Sequence, residues 1–531
     1  METCASLKVR VQSNAHSFLR LQQPCEMFNL VLIAVAILLL PIAINLMWRK
    51  QSKSYRLPPG PKRNPVFGNL LDLIHSSIVL KEAPFLKFSK WAFQYGPICY
   101  LRFFRQRVVV ISDARVAQQL CVGQSDKFST RPPGLFLSRI LKGRGIVFND
   151  GLSWKEHRNF VTHEFRKFGF GNQAIEQRIQ IVVDEYLHEI SRTEGLAHDP
   201  HPNIATAIYN VIWTTISGEK FSWDDPFLRK IIANLETNLQ AVELTGPHNY
   251  VTILSIWHLI RHNAFRLLMI VVKRLSYFKQ LICKFKNQRK EAPISEVEDS
   301  MMYDYLVKMQ GSKISGESTH FSETQLLWLV SDLFIAGGET TVTSLRWALL
   351  CLAKFPKVQE RLRQEIVDTF GRDSTPTYSQ RSQLPYMEAF IQETLRFNCS
   401  VPGMWRNTAQ DATYENYEIP KDTWVLLHFW AMSNNKSLWE DVREFKPERF
   451  LNDDGGTFKK NENFLAFSAG KRQCPGESLA RTELFLFTLG ILQKFKVTLP
   501  DGQDVDIHSG QFGVTYTPPH HDIRFIPIDT V

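Results

Sequence analysis

Along this chain, apolar positions recur about every three to four residues through 160–190, 227–244, 263–288, 323–355, 358–370, 384–397 and 477–495. On a 3.6-residue helix that spacing gathers them into one stripe, so each stretch is predicted to be an amphipathic helix. Strand patterns are fewer and shorter, falling at 98–104, 107–111, 417–419, 424–427 and 513–516. The chain therefore reads as mainly α with a small β portion. A different pattern fills 27–48, MFNLVLIAVAILLLPIAINLMW, which holds no charge at all. As a helix it would rise ~33 Å, enough for one pass through a bilayer.

The flanks of that segment give its orientation. Arg49, Lys50, Lys53, Arg56, Lys62 and Arg63 follow it without an acid among them, whereas residues 1–26 set Lys8, Arg10 and Arg20 against Glu2 and Glu26. Positive charge stays on the cytoplasmic side, so everything after Trp48 is expected there. The apolar run is too long for a cleaved signal peptide and lacks a small-residue cleavage site, which favours an uncleaved anchor in the endoplasmic reticulum membrane. Residues 1–26 contain serines and few acids, like a mitochondrial transit peptide. A mitochondrial membrane is thus the alternative location and Met27 an alternative start.

Next, Leu57-Pro58-Pro59-Gly60-Pro61 stiffens the backbone and removes three N–H donors. The expected order is a tail at 1–26, an anchor at 27–48, a basic and proline-rich hinge at 49–63, and one large domain at 64–531, where no repeat or low-complexity linker appears.

Composition narrows the classes. Of 531 residues, 44% are hydrophobic and 22% charged, ordinary globular usage that excludes a disordered, collagenous or repeat protein. The balance of 63 basic against 53 acidic residues, +10, suits an acidic protein partner, an anionic membrane or nucleic acid equally. Eight scattered cysteines never form a C-x-x-C pair, which argues against structural zinc and a disulfide framework and for a reducing compartment.

One cysteine stands apart. In Phe467-Ser468-Ala469-Gly470-Lys471-Arg472-Gln473-Cys474-Pro475-Gly476, Cys474 lies just before the apolar helix at 477–495. The unpaired N–H groups and positive dipole end of a helix start favour a thiolate and lower its pKa. Gly470, Pro475 and Gly476 let the loop turn tightly beside a flat ligand, Phe467 can supply an apolar wall, and Arg472 a nearby cation.

This stretch resembles the haem-binding loop of the cytochrome P450 superfamily, F-x-x-G-x-R-x-C-x-G, at every fixed position. The resemblance implies haem b (iron protoporphyrin IX) with Cys474 as the axial iron ligand, and Arg472 as a partner of a haem propionate. Three further motifs follow the family's order. Ala336-Gly337-Gly338-Glu339-Thr340-Thr341 is similar to its oxygen-activation motif, making Thr340 and Glu339 the expected proton relay. Two mid-helix glycines cost ~1 kcal/mol each; the expected reason is a loosened hydrogen-bond ladder that admits the Thr340 hydroxyl and a water. Glu393-Thr394-Leu395-Arg396 with Pro447-Glu448-Arg449-Phe450 looks like the family's structural triad, Glu393, Arg396 and Arg449. Trp154 and Arg158, in Trp154-Lys155-Glu156-His157-Arg158, and Arg406 match positions that reach a haem propionate.

The implied fold is the helical prism of that family, with small sheets around a buried haem, and the likeness is greatest to animal microsomal enzymes of family two. The implied activity is insertion of one oxygen atom from O2 into a lipophilic substrate: a fatty acid, a steroid or a foreign apolar compound. The chain lacks a phosphate-cradling loop, a dinucleotide fingerprint, a nucleophile elbow and a H-E-x-x-H helix. Electrons are therefore expected from NADPH through cytochrome P450 reductase, with cytochrome b5 as a further partner and no nucleic acid. Lys155, Lys167, Lys354, Lys357, Lys459, Lys460 and Lys471 are candidates for the docking face. A haem-thiolate isomerase or dehydratase and a non-catalytic membrane haem binder are the alternatives. By similarity, 134–147, 240–260, 332–336, 400–404 and 510–514 should line the substrate pocket, with Leu135, Trp257, Phe334, Met404 and Phe512 among the apolar walls. The run NYVTILSIWHLI at 249–260 suits a second contact lying in the membrane interface.

Overall fold

Prolines and capping side chains set the helix boundaries. The principal helices are α1 (Pro84–Tyr95), α2 (Ala114–Cys121), α3 (Gly151–Lys167), α4 (Gln173–Ser191), α5 (His201–Ser217), α6 (Pro226–Ala241), α7 (Ala264–Glu291), α8 (Met301–Ser315), α9 (Glu323–Lys354), α10 (Pro356–Phe370), α11 (Pro385–Asn398) and α12 (Glu477–Lys494). Ser322 caps α9 by accepting from the Gln325 N–H at 3.2 Å. Phe355 closes it because Pro356, the first residue of α10, pushes the preceding residue out of the helical region. Leu384 and Pro385 repeat that device at the start of α11.

The computed structural model describes residues 55–528 apart from 172, 242, 252–253, 256–263, 292–299, 372–373 and 375. The expected tail, the anchor at 27–48 and the start of the hinge lie outside the described residues, as do Trp257 and most of the apolar run at 249–260. Among the described residues no helix is long and apolar enough to cross a membrane.

The strands are β1 (Ile98–Phe103), β2 (Gln106–Ile111), β3 (Met404–Asn407), β4 (Ala412–Tyr414), β5 (Tyr417–Ile419), β6 (Trp424–Leu427), β7 (Phe495–Thr498), β8 (Gln511–Phe512), β9 (Tyr516–Thr517) and β10 (Arg524–Pro527). The largest sheet runs β1-β2-β6-β3, with β2 and β6 parallel and the other pairs antiparallel. Its register opposes Arg406 on β3 to Val425 on β6. Three two-stranded ribbons complete a mainly helical architecture.

The structure corrects two expectations and adds elements that had none. The continuous helix at 160–190 is two, because Gly169 and Gly171, at φ +85° and +89°, break it between α3 and α4. The strand at 513–516 is instead mostly the turn of the β8–β9 hairpin, closed by the Gly513 N–H on Thr515 O at 3.0 Å. Helix α5, which the sequence reading did not include, is buried on almost every side, including Ile204, Ile208, Tyr209, Ile212, Trp213 and Ile216. At roughly 1.5–3 kcal/mol for each large apolar side chain buried, it is a principal contributor to the core rather than a surface helix. It packs along α9, the long helix that also touches α7, α11 and α12. The β3 and β4 strands, too short to show an alternation, were not among the predicted strands.

Candidate cofactor site

The loop before α12 is set by one glycine. Gly470 has φ +71°, and a Cβ there would lie 1.9 Å from the Cys121 carbonyl oxygen at the end of α2. Only a residue without a side chain fits. Gly476 is different: its φ is −95°, and a Cβ there would meet Cys474 Sγ at an ordinary 4.0 Å. It keeps the flank of the sulfur open but is not demanded by the turn. The Cys474 N–H donates to Phe467 O at 2.9 Å and the Gln473 N–H to Gly470 O at 2.9 Å, so the loop is a folded unit. The expected lowering of the thiol pKa is outweighed. Although Cys474 is reachable from one side, the protein packed around its sulfur pushes the pKa up and Glu477 adds to that, while the Gly476 N–H and Arg158 pull it down. A positive metal centre on the sulfur would reverse that balance.

Beside this loop four guanidinium groups gather around one carboxylate, Asp150, while Arg481, 4.9 Å from the Phe467 ring centroid, pairs with Glu477 at 3.0 Å. Arg158 on α3 donates to Gln473 O at 2.6 Å. Arg406 on β3 donates to Ser468 Oγ at 2.8 Å and to Arg472 O at 3.2 Å. Arg472 donates to Ser129 O at 2.6 Å and Asn149 O at 2.7 Å, pairs with Asp150, and lies 3.7 Å from the Trp154 ring centroid. The fourth cation, Arg131, was not foreseen. Its side chain donates to Val147 O at 2.9 Å and to Trp405 O, and its backbone N–H to both Asp150 oxygens, at 2.9 and 2.8 Å. Asp150 directly precedes α3 in Asn149-Asp150-Gly151, a helix-start signature that marks it in the sequence. Nothing in the sequence around Arg131 distinguishes it.

Burial holds all four arginines below their ordinary pKa, Arg406 at about 10 and Arg472 at about 9, and repulsion from neighbouring arginines adds to it for Arg131, Arg406 and Arg472. One acid does not balance four bases. Moreover, Arg472 Nη1 is buried without a hydrogen-bond partner. A buried donor and an excess of positive charge beside an open cysteine fit a group bearing carboxylates, which is what the two propionates of a haem present. The three arginines expected at the propionates are brought together, and each also braces the cysteine loop.

Opposite in chemistry is the middle of α9. The Gly337–Gly338 pair does not loosen the helix, which is regular throughout Glu323–Lys354. A Cβ on Gly338 would lie 2.1 Å from Tyr209 Cε1 and one on Gly337 3.0 Å from Ile212 Cγ1. The glycines are there to let α5 approach, not to open a groove. Thr340 Oγ1 donates to Ala336 O at 2.8 Å. Ala336 is exposed although it lies amid a buried helix, so this face borders open space. Glu339 is 3% exposed, accepts from Thr343 Oγ1 at 3.4 Å and faces the Tyr209 hydroxyl. Glu339 and Thr340 thus share a turn of α9.

One turn before Ala336, Asp332 accepts the Ile146 and Val147 N–H groups at 2.7 and 3.0 Å, and Gln325 holds the Gly145 N–H at 2.9 Å and Gly143 O at 3.1 Å. Loop 143–147 is therefore clipped onto α9. Burial pushes the Asp332 carboxyl up to about 6. Of the expected pocket walls, Phe334 is fully buried against Tyr209 (4.5 Å between centroids) and Phe278 (5.5 Å), and Leu135 is likewise in the core. Phe512 is stacked on Tyr516 at 4.2 Å. Among the candidate docking lysines, Lys167 pairs with Asp304, Lys354 with Asp504 and Lys471 with Asp126.

Glu393, Arg396 and Arg449 form a separate cluster. Arg396 grips both Glu393 oxygens at 2.6 and 2.7 Å, and Arg449 Nε donates to one of them at 3.0 Å. The remaining guanidinium donors reach Ser433, Glu440, Asp441, Val442 and Glu444 carbonyls. This ties α11 to the segment leading into the cysteine loop.

Comparison with known proteins agrees with this geometry. The family model described as Cytochrome P450 matches residues 58–525. The chain is 33% identical to cytochrome P450 2C5 of Oryctolagus cuniculus, over 91% of this chain and 96% of that one. It is 33% identical to cytochrome P450 2E1 of the same organism (91% and 95% covered) and 30% identical to cytochrome P450 2U1 of Mus musculus (91% and 93%).

Proposed function

The chain belongs to the cytochrome P450 family of haem-dependent monooxygenases, and from that premise we propose that it oxidises a lipophilic substrate at the endoplasmic reticulum membrane, using NADPH-derived electrons passed on by a partner reductase. The observation that carries this reading is the open Cys474 thiol set among four arginines with one acid, Arg472 Nη1 still lacking a partner. Haem, when bound, supplies the redox iron at which dioxygen is reduced. Cys474 would hold that iron through its thiolate; Arg158, Arg406 and Arg472, with Arg131 behind them, would orient the group by its carboxylates.

The chain's own acid–base groups have the remaining roles. Thr340 presents its hydroxyl on the open face of α9 and passes a proton there. Glu339, buried one residue away, is the nearest acid on the same helix and holds the proton to be delivered. Loop 143–147, clipped by Asp332, helps to exclude water from that face. Apolar segments near the site favour a fatty acid, a steroid or a foreign apolar compound as substrate. The uncharged run at 27–48 with its basic flank supports a single-pass anchor with the catalytic domain in the cytoplasm. Cytochrome b5 is a second candidate electron donor.

The test is spectroscopic. Cys474→Ser should lose the red-shifted band of the ferrous carbon monoxide complex, and an unchanged band would overturn the assignment. Substrate-difference spectra against the three substrate classes, with cofactor consumption measured beside a reductase, then separate a monooxygenase from an isomerase or a haem binder.

A further inference from the structure

Glu483 lies on α12, nine positions beyond the cysteine in sequence, and is 1% exposed. Neither of its carboxyl oxygens is within full hydrogen-bond distance of a partner, and the one polar side chain acting on it is Thr341. Other buried acids here are served differently. Glu393 is met by Arg396, Arg449 and the Lys446 N–H, and Asp332 by two backbone N–H groups. Among the described residues no cationic side chain acts on Glu483. Burial pushes its carboxyl well above the usual range, and only the hydroxyl of Thr341, on α9, pulls the other way. Thr341 is itself 2% exposed, and α9 and α12 pack directly on each other. An ionised carboxylate with no compensating donor is strongly disfavoured in such surroundings, whereas a neutral acid has one proton to place and one hydroxyl oxygen facing it.

We propose that Glu483 is a positioning residue: held as a neutral carboxylic acid, it directs its O–H to Thr341 Oγ1 and fixes the turn of α9 that bears Thr340. Any effect on catalysis rests on the role given to Thr340 above; the protonation of Glu483 does not.

The experiment uses the full haem-loaded chain. Infrared spectra of the wild type minus Glu483→Gln should show a protonated-carboxyl stretch that shifts down in heavy water, and Thr341→Val should displace that band by removing its acceptor. If the difference spectrum shows only carboxylate bands, or if Thr341→Val leaves the stretch in place, the proposal fails, whatever the activity of the protein. In turnover, Glu483→Leu should raise peroxide released per electron by roughly 3- to 10-fold, the scale of one ordinary hydrogen bond. Thr341→Val should do the same, and the double variant should be no worse than the larger single. Glu483→Gln keeps an N–H donor and should retain most of the coupling. Additive effects, or a Gln variant as leaky as the Leu variant, would overturn the positioning role.

Discussion

The cluster around Glu393 and the cluster around Arg472 are both buried and both built from arginines, yet one is closed in its hydrogen bonding and the other is open. Around Glu393, one carboxylate meets two guanidinium groups whose spare donors all end on backbone carbonyls. Around Arg472, four guanidinium groups share one acid, and a buried donor is unmet. The first arrangement satisfies itself and so acts as a rivet. The second is unsatisfied by the chain alone, which is the mark of a place made to receive an anionic guest.

Three substitutions test that contrast, and a fourth probes a buried acid outside both clusters. Glu393→Gln breaks the closed cluster and should cost ~3–5 kcal/mol of stability, because two buried cations lose their counter-charge; denaturant unfolding with and without haem should show the loss equally. Gly470→Ala attacks the open site through its backbone. With positive φ and the Cys121 carbonyl at 1.9 Å from the new Cβ, it should destabilise by more than ~2 kcal/mol and release haem. Arg158→Gln removes one charge from the open cluster and a single hydrogen bond to Gln473 O, so the haem-free chain should change by only ~1 kcal/mol. Haem transfer to an acceptor globin should nonetheless speed up ~10-fold or more, since a charge-assisted bond to a carboxylate is worth ~1.5–3 kcal/mol. An equal loss in both states would make the open cluster a second rivet. The smallest effect concerns Asp332, whose carboxyl is raised to about 6 in the folded chain from an ordinary ~3.9. The folded state then holds the proton more tightly, so stability should fall as pH rises from about 4 to about 6 and level off above. Asp332→Asn should flatten that segment of the curve, measured by urea midpoints.

The sequence showed the chemistry better than the packing. Cys474, Arg472, Arg158 and Arg406 were legible because each sits in a motif whose residue types and spacing are constrained by what they touch. Arg131 was not, for its partners Val147, Asp150 and Trp405 are scattered along the chain. Helix α5 was not predicted from the sequence, and it lies inside the core with almost no solvent-facing side. For the same reason the glycines at 337 and 338 looked like a weakness in α9: their neighbours Tyr209 and Ile212 belong to that unseen helix. Phe334 was assigned to a cavity wall on sequence position alone, and its rotation about α9 turned it toward Tyr209 instead.

The braces of the cysteine loop have a consequence in the order of events during synthesis. Arg472 bonds residues 343 and 323 positions earlier, and Gly470 is lodged against Cys121. Those partners leave the ribosome long before the loop exists. The cofactor cradle can therefore close only when nearly the whole chain has emerged, and haem capture is a late, long-range step whose delay the earlier helices must survive with their apolar faces partly uncovered.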